Sequence, residues 1–241
     1  MTTIRLMFVF AAMFPALLVL IPQQAMAAET DRKVTLSYKF TSEGYEFGAM
    51  QVTRSPAERG GKKVIRQFKD STMTLEANQQ VKVSESAVFS RDGQIWEYAG
   101  HLKGKDTYDI RLQRDKDTLA LELRENGKAI HNEKVPAADV DYTSQYLPMD
   151  SLDPASRPSY RLLNLDELNV VGTVLHKVGR ERLTVSGDTF DCTVISLDAG
   201  PAKARKWMAR DANGYWFAVK EEIHSSDGDF EMVLTKYRVS R

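Results

Sequence analysis

The chain has 241 residues, of which 33 are basic and 33 acidic, with a single cysteine. This charge balance excludes the cationic surface that nucleic-acid binding needs, and one cysteine excludes an internal disulfide. The length suits one domain with a sizeable core or a pair of smaller β units.

Residues 1–27 read as a cleavable export signal. Arg5 supplies a short positive start, LMFVFAAMFPALLVLI an apolar run broken at Pro15, and Ala25 and Ala27 the small residues of a cleavage site. The run of about 16 residues falls short of the roughly 20 that cross a bilayer. Cleavage is expected after Ala27, with residues 28–241 forming a single β domain in the periplasm and no transmembrane segment left. Without Arg5 the remainder carries a net charge of −1, which also argues against an electrostatic membrane clamp.

After the signal, Val34–Phe40 and Tyr45–Val52 form a predicted hairpin across a Thr-Ser-Glu-Gly turn. Ser55–Gly61 reads as a polar loop, because Pro and paired Gly punctuate the chain. Extended segments follow at 64–69, 73–77, 81–89 and 95–102. In Leu119–Arg124 the residues Leu119, Leu121 and Leu123 point one way and Glu122 and Arg124 the other, the pattern of a strand with one wet face. Asn126-Gly127 then supplies the positive φ values of a tight hairpin turn, after Tyr108–Gln113 and before Ala129–Val135.

From 136 to 159 the alternation stops, and Pro, Asp and Ser accumulate. This irregular crossover is long for a connection without structure, which suggests a cap on the sheet or a flap. Extended segments resume at 160–165, 169–178 and 181–185. Phe190–Val239 reads as three consecutive strands joined by tight turns. The expectation is an all-β fold, a curved antiparallel half-barrel or open barrel of roughly a dozen strands with little helix.

The early VTLSYKF…GYEFGAMQV hairpin, the long meander and the closing KWMARDANGYWFAVK turn resemble the uncharacterised exported bacterial proteins whose fold is similar to Lol-type lipoprotein carriers. Most of the domain shares the rhythm, but only residues 206–220 match at the level of a motif. The family often has Pro before the position of Val219-Lys220, where this chain has Ala218. The resemblance implies a half-barrel and an envelope location, and it brings no catalytic residues.

No constellation names a reaction. His101, His131, His176 and His224 are scattered, without the paired spacing of a metal site. There is no G-x-S-x-G, and Ser186-Gly187-Asp188 reads as a turn. Glu221 and Glu222 are adjacent and point to opposite faces. Gly60-Gly61 lacks the following helix of a phosphate loop, and no cofactor is implied. Cys192 reads as a buried small hydrophobe. The basic run Lys203, Arg205, Lys206 and Arg210 reads as a solvated strand face, with anionic headgroups or a partner as the alternative.

A curved sheet can leave an apolar hollow, and the tentative ligand-binding residues are Trp96, Tyr98, Trp207, Phe217 and Met232. Trp96 and Tyr98 are expected to share a face, as are Trp207, Tyr215 and Phe217. The functional expectation is a non-enzymatic periplasmic protein holding a lipid or lipoprotein acyl chain in the concave sheet. The alternative is an envelope adaptor that binds a protein partner and no small ligand. A hydrolase on the same scaffold is the third reading.

Overall fold

The computed structural model describes residues 32–75, 79–152, 159–165, 167–200, 202–225 and 228–240. The export signal and its cleavage site lie outside them.

Fifteen strands form one curved sheet that does not close into a barrel. The first half comprises β1 (Lys33–Ser42), β2 (Tyr45–Arg59), β3 (Lys62–Thr74), β4 (Gln80–Ser90), β5 (Ile95–Lys103), β6 (Thr107–Asp115), β7 (Thr118–Glu125) and β8 (Lys128–Pro136). The second comprises β9 (Tyr142–Thr143), β10 (Ser159–Asn164), β11 (Asn169–Val185), β12 (Asp188–Asp198), β13 (Ala202–Arg210), β14 (Trp216–Ser225) and β15 (Gly228–Ser240).

The sheet order is β8-β7-β6-β5-β4-β3-β2-β1-β15-β14-β13-β12-β11-β10-β9. The first and last long strands therefore meet in the middle, where β1 pairs with both β2 and β15. The chain walks outward to β8, crosses to the far edge at β9, and walks back. All neighbours are antiparallel except β9 and β10. One edge strand has only two residues. The other exposes Lys128, Asn132, Glu133 and Lys134, charges and amides that discourage edge pairing.

Three local expectations are corrected. The supposed loop at Ser55–Gly61 is strand as far as Arg59. Val34 of β1 sits opposite Arg54, so Pro56 projects past the end of β1 and pairs only with Ile65 of β3. Its missing N–H therefore leaves no partner in β1 unsatisfied. The stretch from Phe190 to Val239 holds four strands, because KARKWMARDANGYWFAVKEEI is itself a hairpin, β13–β14. Its turn is built by Asp211, whose Oδ1 accepts from the backbone N–H groups of Asn213 and Tyr215 at 2.9 and 3.0 Å. Finally, 169–185 is one strand with a bulge at Val178, where two segments were expected.

The curvature shows in contacts between distant strands. Arg54 on β2 lies 3.7 Å from Asp211 at the end of β13, although β1, β15 and β14 stand between them in the sheet. Bulges in β4–β5, β7–β8, β11–β12, β13–β14 and both pairings of β1 add local bends. The inner face is apolar along most strands, with Leu36, Phe40, Ile65, Phe89, Leu112, Leu121, Leu163 and Ile195 all buried. Removing these side chains from water supplies the main drive for folding.

Candidate functional site

As far as Leu152 the crossover does not hang outside the sheet as a flap. After a single 3-10 turn at Ala137–Asp139, residues 142–149 are all buried and run as a strap along the inner face. At one end Tyr142 shares a 2.6 Å hydrogen bond with Thr173 Oγ1, and the Ser144 N–H donates to Leu163 O. At the other, Tyr146 stacks on Phe89 with centroids 4.5 Å apart and meets Tyr215 edge-on. Pro148 rests on Gly93, where an added Cβ would collide with the proline ring. Asp150 then accepts from Trp216 Nε1 and pairs with Arg210.

Beneath the strap lies a buried polar chain. Arg54 donates through Nε to Gln67 Oε1 at 2.8 Å and through NH1 to the Trp216 carbonyl at 2.7 Å. Gln67 donates to the Gln145 carbonyl, and the Gln145 amide donates to Glu85 Oε1 at 2.6 Å. Glu85 also accepts from the Tyr98 hydroxyl at 2.7 Å and faces Lys69 Nζ at 3.6 Å. On the opposite wall Lys206 and Glu221, side by side in the β13–β14 register, form an ion pair with 0% and 2% side-chain exposure. Three cations (Arg54, Lys69, Lys206) thus balance three carboxylates (Glu85, Asp211, Glu221).

Burial governs the protonation of this group. It pushes the Lys206 ammonium down to about 8, with Glu221 pulling the other way. It pushes the Glu221 carboxyl up to about 6, opposed by Lys206 and by Lys69. Burial also raises Asp211 against the pull of Arg54, and raises the Tyr38 and Tyr146 hydroxyls. These are strong perturbations, of the sort found at both active sites and structural ion networks. The strap is fastened to β3 and β4 on one wall through Gln145, and to β13 and β14 on the other through Asp150.

The five residues singled out from sequence are not brought together. Tyr98 and Met232 lie on the inner face, Tyr98 bonded to Glu85 and Met232 in register with Glu221. Trp207 lies on the opposite face from Lys206; its Nε1 donates to Glu181 at 2.7 Å, and Arg205 and Lys220 cover its ring. Phe217 shares that face through its pairing with Ala209 and packs against Phe190 and Tyr237, whereas Tyr215 turns toward Tyr146. The β4–β5 bulge drops Trp96 out of register, so it parts from Tyr98 and lies among Arg59, Lys62 and Arg114.

The basic run of β13 is a solvated face except at Lys206. Lys206 points inward between Ala204 and Met208, and Lys203, Arg205 and Arg210 pair with Asp198, Glu181 and Asp150. Cys192 is buried, its thiol pushed up to about 12 by desolvation. His101, His131 and His224 each face a carboxylate, Asp109, Glu133 and Asp229. Among the described residues no three metal-type ligands converge.

Sequence reasoning missed Arg54, Gln67, Lys69 and Glu85 as inward groups. The signal was present: Arg54 is in step with Met50 and Val52, and Glu85 with Ala87 and Phe89.

A second feature lies on the other face of β3–β8. A groove of about 620 Å³ crosses six strands, lined by Arg66, Phe68, Glu97, Arg111, Glu122 and Asn132 among others. Phe68 is 46% exposed there. A smaller hollow continues it past Asp70, His101 and Asp109.

No protein-family profile matches the chain, and no curated protein matches it. Among solved structures, a β-barrel-like protein of domain of unknown function DUF1849 from Brucella abortus is similar, with a TM-score of 0.53 at 8% identity. The match covers 89% of this chain and 99% of that one. A putative exported protein with a YmcC-like fold from Bacteroides fragilis aligns over 94% of this chain and 99% of its own, at 9% identity and a TM-score of 0.37. The fold is thus that of a β-barrel-like protein, in keeping with the resemblance to uncharacterised exported β-proteins.

Proposed function

We propose that this chain is an exported, non-enzymatic binding protein of the cell envelope that engages an extended polypeptide segment in the groove across β3–β8. The observation that carries this reading is the contrast between the two faces. The inner face is occupied by the strap and by paired charges, whereas the groove is open and presents a half-exposed Phe68.

Six strands about 4.8 Å apart give a groove about 24 Å long, room for about seven extended residues. Its floor is small and aliphatic (Ser86, Val88, Ala99, Ala120). Its walls offer both charges and two amides, Gln113 and Asn132, to the donors and acceptors of a peptide backbone. Export rests on residues 1–27.

A photo-reactive phenylalanine analogue at Phe68 tests the proposal in intact envelopes. Illumination is expected to yield a discrete adduct with an identifiable peptide, reduced by Arg111→Glu. The same probe at Tyr45, also exposed, serves as the control. Equal labelling at both positions would sink the idea.

The apolar-ligand reading keeps one supporting observation, that beyond the two-residue strand β9 the strap is largely irregular and lies over an apolar wall. A lipid found in organic extracts of the native protein would favour it over the groove.

A further inference from the structure

The surroundings of Trp96 bring three cations together around one ring. The turn at Gly60-Gly61, both with positive φ, sets Arg59 and Lys62 opposite each other at the end of the β2–β3 hairpin. The β4–β5 bulge swings Trp96 out to meet them, and the end of β6 contributes Arg114. Arg59, Lys62 and Arg114 lie 5.7, 5.7 and 5.6 Å from the indole centroid.

One carboxylate, Glu97, pairs with Arg59. Among the described residues neither Lys62 nor Arg114 has an acidic partner, and Arg114 Nε is engaged by the Lys116 carbonyl at 3.0 Å. The Trp96 Nε1–H is shielded from water and also has no acceptor among them. Three like charges therefore gather on one ring with a single counter-charge. Attraction to the ring quadrupole offsets only part of their mutual repulsion.

We propose that Arg59, Lys62 and Arg114, organised by Trp96, form a binding site for a phosphate-type oxyanion. Such an oxyanion would take charge-assisted hydrogen bonds from two guanidinium groups and the ammonium, with the indole as a flat wall. The chain as a whole has no net formal charge, so the attraction is local to this corner. The site sits at strand ends, shares only Glu97 with the groove, and does not depend on the groove's occupant.

The anion could be free phosphate or the phosphodiester of a lipid headgroup, and the experiment separates them. Tryptophan fluorescence of the full chain is titrated with inorganic phosphate, and separately with phosphatidylcholine vesicles with and without phosphatidylglycerol. The Trp96→Phe variant subtracts the signal of Trp207 and Trp216. A saturable change is expected, weakened at least tenfold in Lys62→Gln/Arg114→Gln, whose melting curve checks that it is folded. Saturation by phosphate alone identifies the free anion as ligand; a response only to anionic vesicles identifies the headgroup. The proposal is overturned if sodium chloride at equal ionic strength gives the same change. It is equally overturned if neither probe gives one, or if the folded double variant binds as tightly as the wild type.

Discussion

The Gln145 amide nitrogen lies 2.6 Å from Glu85 Oε1 across 60 positions of sequence, and through it the strap is tied to β4. Glu85 is the shared acceptor of Gln145 and Tyr98 and the partner of Lys69, so one carboxylate joins β3, β4, β5 and the crossover. Replacing Gln145 by Ala leaves Glu85 short of a donor in a dry site, a loss of about 1–3 kcal/mol. Denaturant midpoints should show that loss, and amide exchange should quicken in residues 142–149. Gln113→Ala, on the exposed face, should stay within about 0.5 kcal/mol of wild type.

Lys206 and Glu221 are the most deeply buried ion pair described. Removing one partner strands the other charge, so Lys206→Met alone should cost about 3–5 kcal/mol. Lys206→Met with Glu221→Leu removes both desolvation penalties and should be neutral or stabilising by about 1–4 kcal/mol. Chemical denaturation of the two single variants and the double variant measures the coupling. Additive losses would contradict the assignment.

The same pair sets a pH dependence. The Lys206 pKa falls from 10.5 to about 8 on folding, so between these values the unfolded chain holds the proton and stability rises with pH. The Glu221 pKa rises from 4.5 to about 6, so in that window the folded state holds the proton and stability rises as pH falls. The stability advantage of the double variant over wild type should therefore peak between pH 6 and 8 and shrink on both sides. A flat difference from pH 4 to 10 would remove the pair from the titration.

Gly93 tests the seating of the strap. Its φ is +87° and an added Cβ would strike Pro148, whereas Gly127, with φ +80°, has open space around it. Both Ala substitutions pay the conformational cost of left-handed backbone, about 1–2 kcal/mol. Gly93→Ala should lose clearly more, and thermal melting of the two variants isolates the clash.

Cys192 provides a probe of opening. With the thiol buried and its pKa pushed up to about 12, alkylation at neutral pH requires exposure of β12. Labelling by a maleimide should follow the unfolding rate and increase with denaturant. Fast stoichiometric labelling of the native protein would show that β12 is not sealed.

The strand content was legible because alternation is a local property. Leu119, Leu121 and Leu123 declare a buried face whatever lies opposite, and Asn126-Gly127 declares its turn through backbone sterics alone. The strap was visible only as a loss of alternation at 136–159. Its burial depends on Tyr146 finding Phe89 and Gln145 finding Glu85, pairings between segments more than fifty residues apart. Trp96 and Tyr98 were separated by a bulge, which depends on the fit of β4 to β5 and leaves no mark on alternation.

By itself the amino-acid sequence determined an all-β chain with an export-type start, a lone inert cysteine and no reaction motif, because periodicity, turn chemistry and composition act over a few residues. Only the tertiary structure decided that residues 142–149 lie on the concave side, that Lys206 and Glu221 face each other away from water, and that three cations gather on Trp96. Each of those depends on how far one continuous sheet bends, and bending brings together residues that no spacing along the chain relates.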